Sequence, residues 1–145
     1  MIPEFGLDGN LPEGIHTAAA SDFFDRFASS SARRRWLGDR LRELLTLARA
    51  SGKLERVFVW GSFVTSKESP HDIDLLLLMR PDFEMEEAPQ RCRGVFEHAS
   101  ARMTFQADVF WAKSSIGEET LHHWLEAYQR GRNFQRRGII EVVLG

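Results

Sequence analysis

Hydrophobic and polar positions repeat along this chain with two periods, and each change of period marks an element. Residues 56–60 are short, β-branched and aromatic, with Val57 and Val59 on one face, which predicts a strand leading into Gly61. Residues 72–79 begin Asp72-Ile73-Asp74 and continue as Leu75-Leu76-Leu77-Leu78-Met79, apolar on both faces, as a central strand covered on both sides requires. Pro81 ends that segment. Residues 104–111 alternate, with Phe105, Ala107, Val109 and Trp111 on one face and Gln106, Asp108 and Phe110 on the other. Residues 138–144 read as a short strand at a sheet edge.

The helical period appears between these strands. Leu37, Leu41, Leu44, Leu45 and Ala48 predict a helix over residues 32–50, with Ser29-Ser30-Ser31 offering the cap and Gly52 the stop. Ser21 is the expected N-cap of a shorter helix through Phe23, Phe24 and Phe27. Cys92, Val95, Phe96, Ala99 and Met103 recur at helical spacing and predict one amphipathic helix from about residue 89 to residue 102, with Pro89 near its first turn. Ser115-Ile116-Gly117-Glu118 fits a capping box before the stripe Leu121, Trp124, Leu125 and Tyr128, in a helix ending near Gly131. Residues 1–17 hold three Gly and two Pro and read as an irregular arm, with Ile2, Phe5, Leu7, Leu11 and Ile15 available to pin it across the core. Strands that alternate with helices predict an α/β (α+β) fold, a small mixed sheet with flanking helices. The expected organisation is an arm over residues 1–20 packed on a single domain over residues 21–145.

Composition narrows the function. A length of 145 residues suits one domain with a real core. The formal net charge of −2 excludes steering of the whole molecule toward nucleic acid or an anionic membrane, so any nucleic-acid contact is local. Of the 19 basic residues 16 are Arg, the better bidentate partner for phosphate, although a base-composition bias explains that count equally well. Cys92 is the single cysteine, which excludes an internal disulfide. The start Met1-Ile2-Pro3-Glu4-Phe5 lacks the basic and apolar regions of a signal peptide, and the longest apolar run is far short of a membrane span. A cytoplasmic location is the resulting expectation.

The chemistry concentrates in residues 60–79. In an extended chain Asp72 and Asp74 share a face, with roughly 6 to 7 Å between their Cα atoms. Such a like-charged, half-buried pair is costly unless a cation relieves it. Asp108 lies on a later strand, and if the two strands are neighbours the three carboxylates converge. Hard oxygen ligands favour Mg²⁺ or Mn²⁺, and neither thiolates nor a histidine pair stand nearby to suit zinc. Upstream, Gly61 lets a phosphate approach the backbone, and Ser62 adds a hydroxyl and a cap for a short helix through residues 64–66. Thr65, Ser66 and Lys67 are weaker phosphate-side candidates. A metal site beside an anion cradle is the equipment of nucleoside triphosphate chemistry.

Gly61-Ser62, nine residues, Asp72-Ile73-Asp74, then Asp108 on a later strand resembles the DNA polymerase β-like nucleotidyltransferase superfamily. More narrowly it is similar to the minimal nucleotidyltransferases of bacteria and archaea, some of which act as antitoxins. Ile2-Pro3-Glu4-Phe5, Gly14-Ile15-His16, Gly61-Ser62-Phe63-Val64-Thr65 and Gly138-Ile139-Ile140 have counterparts in one little-characterised bacterial group of that set. The superfamily motif covers about 50 residues of the chain; the narrower likeness spans nearly all of it. The resemblance implies a polymerase β-like core and two-metal chemistry. Asp72, Asp74 and Asp108 would hold one ion, and Asp72, Asp74 and the triphosphate a second. It also makes Asp108 the base for the attacking hydroxyl and gives Gly61 and Ser62 the β- and γ-phosphates. The implied reaction moves a nucleoside monophosphate from NTP to a hydroxyl of a protein or RNA, with a cognate toxin among the candidate acceptors. No helical acceptor domain fits in this length, so the acceptor site is expected to be open or completed by a second subunit, in a homodimer or hetero-oligomer. Two other readings stay open: an antitoxin-like interaction protein without catalysis, and a nucleotide-binding sensor.

Other polar residues weigh less. His71 precedes Asp72, but a histidine in a turn is more often exposed, and adjacent His122 and His123 cannot share the helix face a metal pair needs. Arg33-Arg34-Arg35 reads as a solvated helical turn. Arg130, Arg132, Arg136 and Arg137 follow a helix and suit either a phosphate or surface ion pairs. Core packing is the expected role of Trp60 and Trp111, ahead of base stacking.

Overall fold

The computed structural model describes residues 2–130 and 137–145. Among them a mixed five-stranded sheet carries five α-helices. The strands are β1 (Ile15–Ala19), β2 (Leu54–Trp60), β3 (Ile73–Met79), β4 (Ala107–Lys113) and β5 (Ile139–Val143), in the spatial order β1-β5-β2-β3-β4. β1 runs parallel to β5 and β3 parallel to β4, while β2 is antiparallel to both β3 and β5. The helices are α1 (Ala20–Phe27), α2 (Ala32–Ala50), α3 (Gln90–Arg93), α4 (His98–Phe105) and α5 (Glu118–Tyr128).

The leucine run on β3 explains the layering. Leu75 and Leu77 belong to the larger core, with Val57, Val59, Val109 and Ile140 of neighbouring strands and Phe23, Phe27, Leu37, Leu41 and Leu44 of α1 and α2. Leu76 and Leu78 face the other way, onto Phe58, Trp60 and Ile139 and onto Leu121 and Leu125 of α5. Both faces of β3 are therefore covered, which is why its apolar pattern is continuous. Asp74, two residues before Leu76, falls on the α5 side. At the start of α2, Ser31 Oγ accepts from the Arg34 N–H and donates to the Glu68 carbonyl, so the cap also ties the helix to the loop before β3.

The structure departs from the pattern in several places. β5 is not an edge strand: it lies between β1 and β2. Its outer partner comes from the segment read as an irregular arm, and β1 buries only Ala18, so it carries no alternation to betray it. Leu11 is buried and Phe5 packs against the core, whereas Leu7 and Ile15 are exposed and pin nothing. The helix expected over 89–102 is broken into α3, a 3-10 turn over Gly94–Phe96 and α4, with Glu97 extended between them and Met103 exposed. Gly94 sits at the break, where Ser100 Oγ comes within 2.9 Å of the position a Cβ would take. No capping box forms at α5. Ser115 lies in a 3-10 turn, and Gly117, at φ 89°, takes the N-cap position. α1 begins before Ser21, with Ala19 at its N-cap. Among the described residues no helix is long and apolar enough to cross a membrane.

Candidate active site

The parallel register of β3 and β4 sets Asp74 directly opposite Asp108, and the antiparallel register of β2 and β3 sets Trp60 opposite Asp74. Asp72 lies immediately before β3. The sequence-predicted carboxylates are thus drawn to the mouths of two neighbouring strands. Burial raises the Asp74 carboxyl to about pH 7, helped by the charges of Asp72 and Asp108 and a hydrogen bond with Asp108. Like charges crowded in a desolvated place are short of a cation.

Arg102 supplies part of that charge. Its Nη1 donates to Asp72 Oδ2 at 2.8 Å and lies 3.3 Å from Asp108 Oδ2. Its guanidinium pKa is raised, first by the hydrogen bond to Asp72. His98 Nε2 approaches Asp108 Oδ1 at 3.3 Å. Both residues come from α4, which packs on β4. The break that starts α4 at His98 therefore places two nitrogen groups against the acidic cluster.

Gly61 joins the cluster to the loop before it. At φ 84° it is in the left-handed region, and a Cβ there would collide with Asp74 Oδ2. A 3-10 turn over Ser62–Val64 follows, two residues earlier than the helix expected over 64–66, with Gly61 and not Ser62 at its N-cap. Thr65 is buried. Its Oγ1 donates to the Ser62 carbonyl at 2.7 Å and accepts from the Lys67 N–H, so its side chain staples the loop.

A cavity of about 680 Å³ opens over this junction. Gly61, Ser62, Thr65 and Lys67 form one wall, and His71, Asp72 and Asp74 form its acidic end. Asp8, Gly9 and Asn10 of the N-terminal arm, Ser66 and Arg137 complete the lining. Asp108 does not line the cavity and meets it through Asp74. The arm is tied in place where the Ser66 N–H donates to the Gly9 carbonyl, and a Cβ at Gly9 would strike Ser66 Oγ. Asp8 accepts both the backbone and the side-chain N–H of Asn10, and those bonds hold its carboxyl below the ordinary range.

Of the three neighbouring arginines of α2, Arg35 is exposed as expected of a solvated turn, while Arg33 is half-buried and Arg34 buried. Arg33 donates to the Pro70 and His71 carbonyls, Arg34 to several carbonyls of the loop between Ser62 and Lys67, and Arg35 to the Ser29 carbonyl. Arg34 is 3% exposed. Neither this nor the roles of Arg102, His98 and Asp8–Asn10 carries a signal in the sequence, because each depends on which segments the topology brings together. Arg137 lines the cavity and its Nε is buried without a hydrogen-bond partner. Arg130 is exposed, and Arg132 and Arg136 lie outside the described residues. His122 and His123 are exposed. Trp60 stacks on Tyr128 with ring centroids 4.0 Å apart, and Trp111 donates its indole N–H to the Phe96 carbonyl, so both are held by packing.

The donor set suits a hard divalent cation: three carboxylates, one raised to about pH 7 by burial and by the other two. Among the described residues, however, no group of three His, Cys, Asp or Glu side chains is arranged to hold a metal ion. Arg102 lies on Asp72 and Asp108 instead. The donor types are those a hard cation takes, but Arg102, and not a metal-holding arrangement, meets the oxygens of Asp72 and Asp108.

The pattern of a family of unknown function, DUF6932, matches residues 3–143. The chain belongs to this family. No curated protein and no solved structure matches it. The match runs from the arm to the end of β5 and so takes in the arm, the loop and the acidic cluster.

Proposed function

We propose that this protein is a metal-dependent nucleotidyltransferase that moves a nucleoside monophosphate from NTP to a hydroxyl of a protein or RNA, with a polymerase β-like core. The observation that carries the reading is the meeting of Gly61-Ser62 with Asp72 and Asp74 in one cavity, with Asp108 in register behind Asp74. Gly61 and Ser62 receive the distal phosphates, and Lys67 and Arg137, which line the same cavity, supply positive charge to them. Mg²⁺ or Mn²⁺ held by Asp72, Asp74 and Asp108 would neutralise the triphosphate and acidify the acceptor hydroxyl. Asp108 takes the hydroxyl proton, with His98 Nε2 placed to hold Oδ1. The acceptor oxygen bonds to the α-phosphorus, the bond from that phosphorus to the bridging oxygen breaks, and pyrophosphate leaves.

The test is incubation with α-labelled NTP, Mg²⁺ and cell extract. An acceptor becomes labelled, and Asp72→Asn abolishes the signal. Failure to label with any of the four nucleotides would sink the catalytic reading.

One observation favours a second reading. Arg102 already neutralises Asp72 and Asp108, as in a site that binds without turning over. In that case the protein is an antitoxin-like partner or a nucleotide sensor. A double Asp72→Asn, Asp74→Asn variant that still neutralised a neighbouring toxic gene product would select it.

A further inference from the structure

Arg34 lies beneath the loop that the proposed function assigns to phosphate, and its environment is unusual for a charged group. Nη1 donates to the carbonyls of Phe27 at 3.0 Å and Phe63 at 2.6 Å. Nη2 donates to those of Ser62 at 3.4 Å, Thr65 at 2.6 Å and Lys67 at 2.6 Å, and Nε reaches Lys67 at 3.0 Å. Every one of these acceptors is a neutral backbone oxygen, and among the described residues Arg34 has no carboxylate partner, burial being the only influence on its charge. A guanidinium has five N–H donors, and here all are directed into backbone.

Two consequences follow. In a trans peptide the carbonyl of one residue points opposite to the N–H of the next. Turning the Ser62 and Phe63 carbonyls inward onto Arg34 turns the Phe63 and Val64 N–H groups away from it. The Val64 N–H is already taken by the Gly61 carbonyl, while the Phe63 N–H has no backbone acceptor among the described residues. The second consequence is electrostatic. A buried positive charge normally finds a carboxylate, because leaving it unpaired is expensive. Burial does depress the Arg34 pKa, but the group remains a cation at any physiological pH. Its charge is only partly offset by carbonyl dipoles, and the loop lies between it and the cavity.

We propose that Arg34 is the positioning residue of a polyphosphate seat: it fixes the course of residues 62–67 and sets a positive charge without a carboxylate partner directly behind them. The inference rests on the phosphate reading of that loop and adds what makes the loop attract an anion of high charge. An inorganic anion that carries the charge of a nucleotide's phosphate chain suffices to test it, without a base, sugar or acceptor.

The experiment is calorimetric titration of the full chain with inorganic tripolyphosphate, for wild type, Arg34→Lys and Arg34→Met, with thermal melting of each. With the charge gone and the loop no longer held on its carbonyls, Arg34→Met should bind tripolyphosphate about tenfold or more weakly. Arg34→Lys keeps the charge with three donors in place of five and should recover part of the loss. Equal affinity in wild type and Arg34→Met overturns the role of Arg34 alone. A wild type that binds no tripolyphosphate overturns the phosphate-seat reading itself. Where Arg34→Met fails to fold, NMR of the unmodified protein decides. The Arg34 side-chain N–H signals should exchange slowly, and tripolyphosphate should shift them together with the amides of residues 62–67. Shifts confined to other residues overturn the proposal.

Discussion

Arg102 donates from Nη1 to Asp72 Oδ2 over 2.8 Å, and the same nitrogen lies 3.3 Å from Asp108. An arginine so placed competes with any cation for the same oxygens. Replacing it with alanine removes the competitor and leaves the carboxylates short of positive charge. Arg102→Ala is therefore expected to bind Mn²⁺ about tenfold more tightly, a difference of about 1.4 kcal/mol. Titration followed by electron paramagnetic resonance reads this directly. Weaker binding in the variant would mean that Arg102 organises the carboxylates for the ion.

Asp74 gives the apo protein a pH dependence of definite sign. Its folded pKa is about 7, raised above the ordinary 3.8 by burial and then by Asp72 and Asp108. A carboxyl raised on folding contributes stability that is fully present below the unfolded value and is lost as pH rises through the folded one. The metal-free protein should therefore lose stability as pH rises from about 4 to about 7. Asp74→Asn should flatten that part of the curve. Denaturant melts at a series of pH values, with and without Mg²⁺, provide the check, and a slope that persists in Asp74→Asn would assign it to other groups.

Gly61 and Gly52 separate strain from collision. Both have positive φ, 84° and 76°, but a Cβ at Gly52 meets nothing within 4 Å while one at Gly61 strikes Asp74. Gly52→Ala should cost on the order of 1 kcal/mol, the backbone part alone. Gly61→Ala should cost more and also weaken binding of tripolyphosphate, because either Asp74 or the start of the loop must move. Paired thermal melts and a binding titration test this; equal losses in the two variants would refute it.

Ser31 has two tasks, capping α2 and holding the Glu68 carbonyl at 2.9 Å. Ser31→Ala should lower stability by about 1–2 kcal/mol, at the high end for a lost cap. Hydrogen exchange should quicken at residues 67–69 as well as at the helix start. Faster exchange at the helix start alone would show that the second contact contributes nothing.

Patterns that depend on one element's own burial were legible. The leucines of β3 and the stripe of α2 announce themselves because each is covered continuously. The gathering of Asp72, Asp74 and Asp108 was also foreseeable, since it needs only that the second and third predicted strands be neighbours, and β3 and β4 are. The features without a sequence signal depend on contacts across the chain. β1 buries only Ala18 and so shows no period. Arg34 reads like its neighbours Arg33 and Arg35 until the loop from Ser62 to Lys67 folds over it. Met103 matches the spacing of a buried stripe, yet the break at Gly94–Glu97 rotates α4 and leaves it 87% exposed.

The position of β5 bears on how the protein is made. Among the described residues β1 and β2 are separated by a gap that residues 139–143 fill, and these come after every other described strand. During synthesis β2, β3 and β4 can zip together early, while β1 waits without a neighbour and the free side of β2 remains open to foreign strands. The arm that walls the cavity is continuous with β1, so a nascent chain can hold its acidic cluster before it holds the arm's part of the lining. On this order of assembly the arm would be the last part of the cavity lining to be fixed, once residues 139–143 pair with both β1 and β2.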